Sequence, residues 1–276
     1  MILPLSEPLD EQCYGGKATR LSECLRAGLP VPPGVALAAR LVDQIAHGVL
    51  ESDQQTMLEQ LLARLGEARL AVRSSAIGED GAAASFAGQH DTHLNMQGLE
   101  NVYKAVTAVW ASGQTESARR YRARLGIEGL PQVAVLIQEL VPADIAGVLF
   151  TRDPFSGARD CWVVEASWGL GEAVVEGLVT PDRYTIAPSG TLLACQAGYK
   201  DRMVLPDERG GTREQMVTDG VRVHQACLDE ETLARLSLLG AACEQLFGPD
   251  QDIEWAKAGE QLFLLQCRPI TKGGRA

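Results

Sequence analysis

A change of texture near Leu130-Pro131 constrains the fold of this 276-residue chain more than any other feature. Before it, apolar residues recur at helical spacing. Ala18, Leu21 and Leu25 mark a helix that stops at Gly28, and residues 41–65 form one or two helices broken near Gly48 and Ser52. A long amphipathic pattern starts at Leu99 (Val102, Ala105, Val106, Val109, Trp110) and continues after Gly113 into the basic SARRYRARLG, whose arginines are expected on a solvated face. After the change come the β-type runs QVAVLIQEL, IAGVLFT, CWVVEAS, DRYTIAP and TLLACQAG. One helix over Glu231–Phe247 and a closing hairpin in DIEWAKAGEQLFLLQCRPI complete the chain. Helices and strands segregated in this way predict an α+β unit over 1–276 with two lobes, about 1–130 and about 131–276.

One strand precedes the boundary. LAVRSS runs directly into a loop rich in Gly, Ala and Ser, with Arg73 at its root and Glu79-Asp80 inside it. A guanidinium grips phosphate oxygens bidentately, and small side chains let backbone N–H groups approach an anion. The bland alternative is a plain surface connection. Lys17, after Gly15-Gly16, stands at a helix entrance.

The closing hairpin allows a parity argument, because residues two apart on a strand, and residues directly opposed, share a face. With the odd-numbered connection Ala258-Gly259-Glu260, Glu254 opposes Leu264, and Gln266 and Arg268 lie on the same face. An even-numbered loop breaks this grouping unless a bulge restores it. Magnesium takes oxygen ligands, usually one or two side chains plus nucleotide phosphates, which suits Glu254 and Gln266 beside a phosphate-binding Arg268. An exposed polar face is the competing reading.

Several function classes are excluded. A net charge of −11 with scattered Arg and Lys leaves no footprint for nucleic acid or an anionic membrane. No stretch approaches the roughly 18 apolar residues of a membrane span, and the N-terminus has no basic, apolar leader, so a cytoplasmic protein is expected. Seven cysteines without a CxxC pair indicate neither zinc nor a disulfide framework and are expected as small core residues. Gly16-Lys17 is no P-loop, since Glu11 stands where the first glycine belongs and Ala18 follows the lysine. Gly169-Leu170-Gly171 is too short for a dinucleotide fingerprint. There is no GxSxG, and His47, His90, His93 and His224 have no evident nucleophile partner.

Taken together, the ordered blocks GGKATRL (15–21), AGLPVPPG (27–34), AVRSSAIGED (71–80), SFAGQHDTHLN (85–95), IQELV (137–141), AGVLFTRDP (146–154), ASWGLGEAVVEGLVTPD (166–182), DIEWA and LQCRPIT resemble one family over nearly the whole chain. It is the ATP-binding domain shared by phosphoenolpyruvate synthase, pyruvate phosphate dikinase and rifampicin phosphotransferase. The resemblance implies an ATP-grasp-like fold with nucleotide between two lobes and Mg²⁺ on its phosphates. It implies that Lys17, Arg73 and Arg268 contact phosphate and carry catalysis. Gly88 and Thr92 match positions in and after the loop that closes over the nucleotide. Gln138 matches a nucleotide contact, with Glu139 and Val141 in the hinge that receives adenine. Glu254 and Gln266 match the metal side. The segment from Pro32 to Leu70 looks shorter than in the family.

The family's cycle also needs a histidine on a swivelling domain, and none of the four histidines lies in that SHxAI-type context. The expected partners are therefore a separate His-carrier protein and an acceptor-binding protein, with the β-phosphoryl of ATP transferred and AMP left. Two alternatives stay open: an autonomous ATP-grasp kinase or ligase acting on a small molecule, and a non-catalytic ATP-binding module.

Overall fold

The computed structural model describes residues 1–65, 68–77, 92–116 and 132–270. The chain is α+β and divides into two compact units. The first comprises Met1–Ala27, Pro32–Leu140 and Arg209–Gly211; the second comprises Gly28–Val31, Val141–Glu208 and Thr212–Ala276.

The first unit is built on a five-stranded antiparallel sheet, in the order β1-β2-β5-β3-β4. Its elements are β1 (Ile2–Pro4), α1 (Glu11–Arg26), β2 (Gly34–Leu37), α2 (Ala39–Ala46), α3 (Ser52–Arg64), β3 (Leu70–Ala76), β4 (Thr92–Met96), α4 (Leu99–Gly113) and β5 (Val133–Glu139). The helices follow the apolar spacing, and α2 and α3 separate at Gly48 and Ser52 as expected. Val35, Leu37, Val72, Val133, Val135 and Ile137 point to one side of the sheet. There they form a core with Leu41, Val42 and Leu58 of α2 and α3 and with Val102, Val106 and Val109 of α4. The helix α1 lies on the other side, where the amide of Ala18 donates to Ser75 Oγ at 3.0 Å. Strand β5, assigned by the change of texture to the second lobe, instead sits between β2 and β3 in this first sheet. Its continuous apolar run VAVLI fits a central strand buried on both faces, so the turn from helix to strand composition comes one strand before the unit boundary.

The second unit is built on a six-stranded sheet in the order β13-β12-β6-β7-β8-β9. Its strands are β6 (Ile145–Phe150), β7 (Trp162–Trp168), β8 (Asp182–Ile186), β9 (Leu192–Gln196), β12 (Gln251–Ala258) and β13 (Gln261–Pro269). A separate hairpin joins β10 (Arg202–Pro206) and β11 (Thr212–Met216), which the sequence patterns do not reveal. The helices are α5 (Glu172–Val175), α6 (Gly220–His224) and α7 (Glu230–Phe247). Leu149, Trp162, Val164, Ile253, Trp255 and Leu264 make one apolar face, which α7 covers. The approach is so close at Gly240 that a Cβ there would lie 2.7 Å from the Trp162 ring.

A buried polar knot ties three segments of this unit. Lys200 Nζ and the Gly198 amide donate to Asp182 Oδ1, and the Cys227 amide donates to Asp182 Oδ2. Tyr184 Oη donates to Asp182 Oδ2 and accepts from the Leu228 amide. Burial pushes the Tyr184 phenol and the Cys227 thiol up, beyond any physiological titration. The cysteines divide: Cys24, Cys227, Cys243 and Cys267 are buried as expected, whereas Cys13 and Cys195 are exposed. Among the described residues no helix is long and apolar enough to cross a membrane.

Candidate functional site

In the first unit the candidate residues gather on the face of the sheet that α1 covers. Arg73 directly opposes Leu136 of β5 and Thr92 of β4, and Gln138 opposes Ala71, two residues from Arg73. Arg73, Thr92 and Gln138 therefore project to one side. Gln138 is buried and its Nε2 donates to Pro32 O at 3.1 Å, which fixes the amide. Gly34 makes room for it, because a Cβ there would sit 2.7 Å from Gln138 Cγ. Lys17 reaches the same region from α1. The helix kinks at Gly15 (φ 75°), where a Cβ would fall 1.9 Å from Ser75 O, and resumes through Lys17. Lys17 is 7% exposed and its Nζ donates to Ser74 O at 2.9 Å. Among the described residues no carboxylate pairs with this ammonium group. Glu139 has the opposite parity, so its side chain leaves the Gln138 face, and its amide donates to Pro33 O at 2.9 Å. Gly88 and the rest of 78–91 lie outside the described residues.

In the second unit the closing hairpin turns on the even-numbered pair Gly259-Glu260, not on the three residues expected. Ala258 opposes Gln261 and the register holds to Trp255 opposite Leu264; then Leu265 is bulged out and Glu254 faces Gln266. The bulge reverses the parity that the shorter turn would have imposed. Glu254, Gln266 and Arg268 thus share one face, with Glu254 opposite Gln266 and not, as expected, opposite Leu264. It is the face turned away from α7. Asp252, which sequence reasoning passed over, directly opposes Arg268, and its Oδ2 accepts from Arg268 Nε and Nη2, both at 2.9 Å. Its signal was available: it lies two residues before Glu254 on the same strand. Val141 opens the second unit and its carbonyl accepts from the Ala143 amide at 2.8 Å.

The same polar face continues through Val148 of β6 and Glu165 of β7 to Arg183 of β8. Arg183 donates to Asp153 Oδ1 at 3.3 Å and lies 4.5 Å from the centre of the Phe155 ring, so the β6–β7 loop folds back toward this face. Gly169-Leu170-Gly171 does stand between a strand and a helix, but α5 has only four residues, too few for a dinucleotide site. Burial raises the pKa of Glu172, the first residue of α5, against a hydrogen bond from Thr212.

The donor set suits a hard cation. A carboxylate and an amide oxygen face each other across neighbouring strands, and the amide-bearing Gln266 is buried. Among the described residues no cluster of three or more His, Cys, Asp or Glu forms, so a cation held here would complete its shell with ligand oxygens.

Known proteins give the arrangement a context. The family model of the pyruvate phosphate dikinase AMP/ATP-binding domain matches residues 43–276. The chain is 34% identical to the prodigiosin synthesizing transferase PigC of Serratia marcescens over 95% of its own length and 32% of that protein. It is 33% identical to a probable phosphoenolpyruvate synthase of Methanocaldococcus jannaschii, over 95% of this chain and 26% of that one. It is 42% identical to the rifampicin phosphotransferase of Streptomyces sviceus, over 84% and 26% respectively. The chain thus spans about a quarter to a third of the length of these relatives. Among solved structures, a dinucleotide-forming acetyl-coenzyme A synthetase 1 of Ca. Korarchaeum cryptofilum aligns with a TM-score of 0.45 at 13% identity, covering 93% of this chain and 92% of that one. With a matching model over residues 43–276, the chain belongs to the pyruvate phosphate dikinase AMP/ATP-binding domain family and is an ATP-binding unit.

Proposed function

We propose that this chain is the ATP-binding component of a phosphotransferase of the phosphoenolpyruvate synthase and pyruvate phosphate dikinase type. It transfers the β-phosphoryl of ATP to a histidine on a separate carrier protein and the γ-phosphoryl to water or inorganic phosphate, leaving AMP. The observation that supports this most is the buried Lys17, whose ammonium group is held by the Ser74 carbonyl without a carboxylate partner among the described residues. A buried cation without a counter-ion is costly, and an anionic ligand removes that cost.

In this reading Lys17, Arg73 and Arg268 neutralise phosphate charge. Phosphoryl transfer asks little covalent chemistry of a protein, so positioned cations supply most of the rate. Asp252 keeps the Arg268 guanidinium in one orientation. Gln138, fixed by Pro32 O, is a nucleotide contact, and Glu139 and Val141 meet the base through their backbone. Glu254 and Gln266 would hold Mg²⁺, which would offset phosphate charge there. Gly88 and Thr92 match positions in and after the family's nucleotide-closing loop, Thr92 being the first residue of β4. The relatives named as a phosphoenolpyruvate synthase and a rifampicin phosphotransferase are much longer than this chain, which supports a carrier histidine and an acceptor site outside it.

The test is AMP formation from MgATP by the purified chain, with and without a protein bearing a swivelling histidine, followed by β-labelled phosphate. Label on that histidine, dependent on both proteins, is expected. AMP or ADP formation driven by a small acceptor with the chain alone would replace this reading with an autonomous kinase or ligase.

A further inference from the structure

The two edges of the six-stranded sheet are treated differently. At one edge, the β13 amide of Leu264 donates to Pro30 O at 2.9 Å, and the strand carries a bulge, Arg268 and Pro269. These features cover or interrupt an edge that could otherwise template a further strand. At the other edge, β9 pairs with β8 alone among the described residues. Leu193 is 57% exposed, and Ala194, Cys195 and Gln196 are also exposed. The strand itself, LLACQ, contains no proline or charged residue, and its single irregularity, the extra residue Leu193, leaves Ala194–Gln196 in regular register with β8.

The charge pattern says what fits there. The sixteen residues from Tyr184 to Tyr199 include no charged side chain, in a chain that is 22% charged and carries a net −11. Over most of its surface an acidic protein repels its own copy; over this strip it does not. A neutral strand is also complementary to itself, because two identical strands pair antiparallel about a two-fold axis and satisfy both free edges at once. We infer that β9 is a self-association edge, pairing antiparallel with β9 of a second copy of this chain, with Leu193 and its neighbours buried between them.

The test is sedimentation of the full chain from about 1 to about 100 μM, the range in which an edge contact of moderate affinity is read out. A reversible dimer is expected. Ala194→Lys, or Leu193→Asp should the first variant fold poorly, places like charges opposite each other and is expected to raise the dimer dissociation constant at least about tenfold. Leu238→Lys, at the exposed Leu238 of α7, is expected to leave the dimer intact. A wild-type chain that stays monomeric throughout, a dimer that survives both β9 substitutions, or one dissolved equally by Leu238→Lys would overturn the assignment.

Discussion

The two units each bury a lysine, and they treat it in opposite ways. Lys200 of the second unit is fully enclosed and paired with the equally enclosed Asp182, whose other lone pairs take two backbone amides and a phenol. Lys17 of the first unit is nearly as buried, yet it leans on a neutral carbonyl. The first arrangement is closed: every charge is answered inside the protein. In the second, no carboxylate among the described residues answers the charge, and under the proposed function an anionic ligand does so. The arginines add a third case, since Arg268 is oriented by Asp252 while remaining partly open to solvent.

Breaking the closed pair gives the largest expected effect. Lys200→Met strands the Asp182 carboxylate in the core and is expected to cost about 3–5 kcal/mol in urea unfolding. Lys17→Met removes a buried charge that has no carboxylate partner among the described residues, so its cost is expected to stay below about 1 kcal/mol, with a gain equally consistent. An equal loss in the two variants would end the distinction between the lysines.

Function should invert that ranking. Lys17→Met, Arg73→Ala and Arg268→Ala are each expected to lower phosphoryl transfer by at least about 100-fold, the scale of a lost charge-stabilising contact. Lys200→Met should change transfer only as far as it unfolds the chain. Near-normal turnover in Arg73→Ala or Arg268→Ala would sink the phosphate clamp. A smaller effect is expected at the metal side: Glu254→Gln should raise the Mg²⁺ concentration for half-maximal ATP binding by about tenfold, because it replaces a carboxylate ligand by a neutral oxygen. An unchanged titration would remove Glu254 from the ligand set.

Much of this contrast is legible in the sequence, but unevenly. The helices α2, α3 and α7 and the strands β5 to β8 follow from apolar spacing, which reports burial directly. The grouping of Glu254, Gln266 and Arg268 is legible only through two compensating features, a turn one residue shorter than expected and a bulge at Leu265, neither of which has a residue signature here. The β10–β11 hairpin escapes because Thr212, Arg213, Glu214 and Gln215 make β11 mostly polar, and the hairpin packs on a small core of its own around Met203, Val217 and Val223. Lys200 escapes for the opposite reason: a lysine is expected in water, and only the three-dimensional meeting with Asp182 makes burial tolerable. The role proposed for Lys17 comes from resemblance, whereas the lack of a carboxylate beside it among the described residues is visible only in space.

The smallest expected difference between the units lies at their helix caps. Asp10 caps α1 by accepting from the Gln12 amide at 3.0 Å, and Asp229 caps α7 by accepting from the Thr232 amide at 2.8 Å. Hydrogen bonding from Thr232 holds the Asp229 carboxyl below its ordinary 3.8, against the effect of burial. A carboxylate whose folded pKa is depressed contributes stability that is fully present above its unfolded value and is lost as pH falls through the folded one. Asp229→Ala is therefore expected to cost about 1 kcal/mol near neutral pH. That cost should shrink as pH falls through the depressed folded pKa, because protonation then removes the charge-assisted part of the cap in the wild type. Urea unfolding of both proteins at neutral pH and at about pH 3 measures it. A cost independent of pH would mean that the cap acts through shape alone, and that the α7 backing of the second sheet owes nothing to the Asp229 charge.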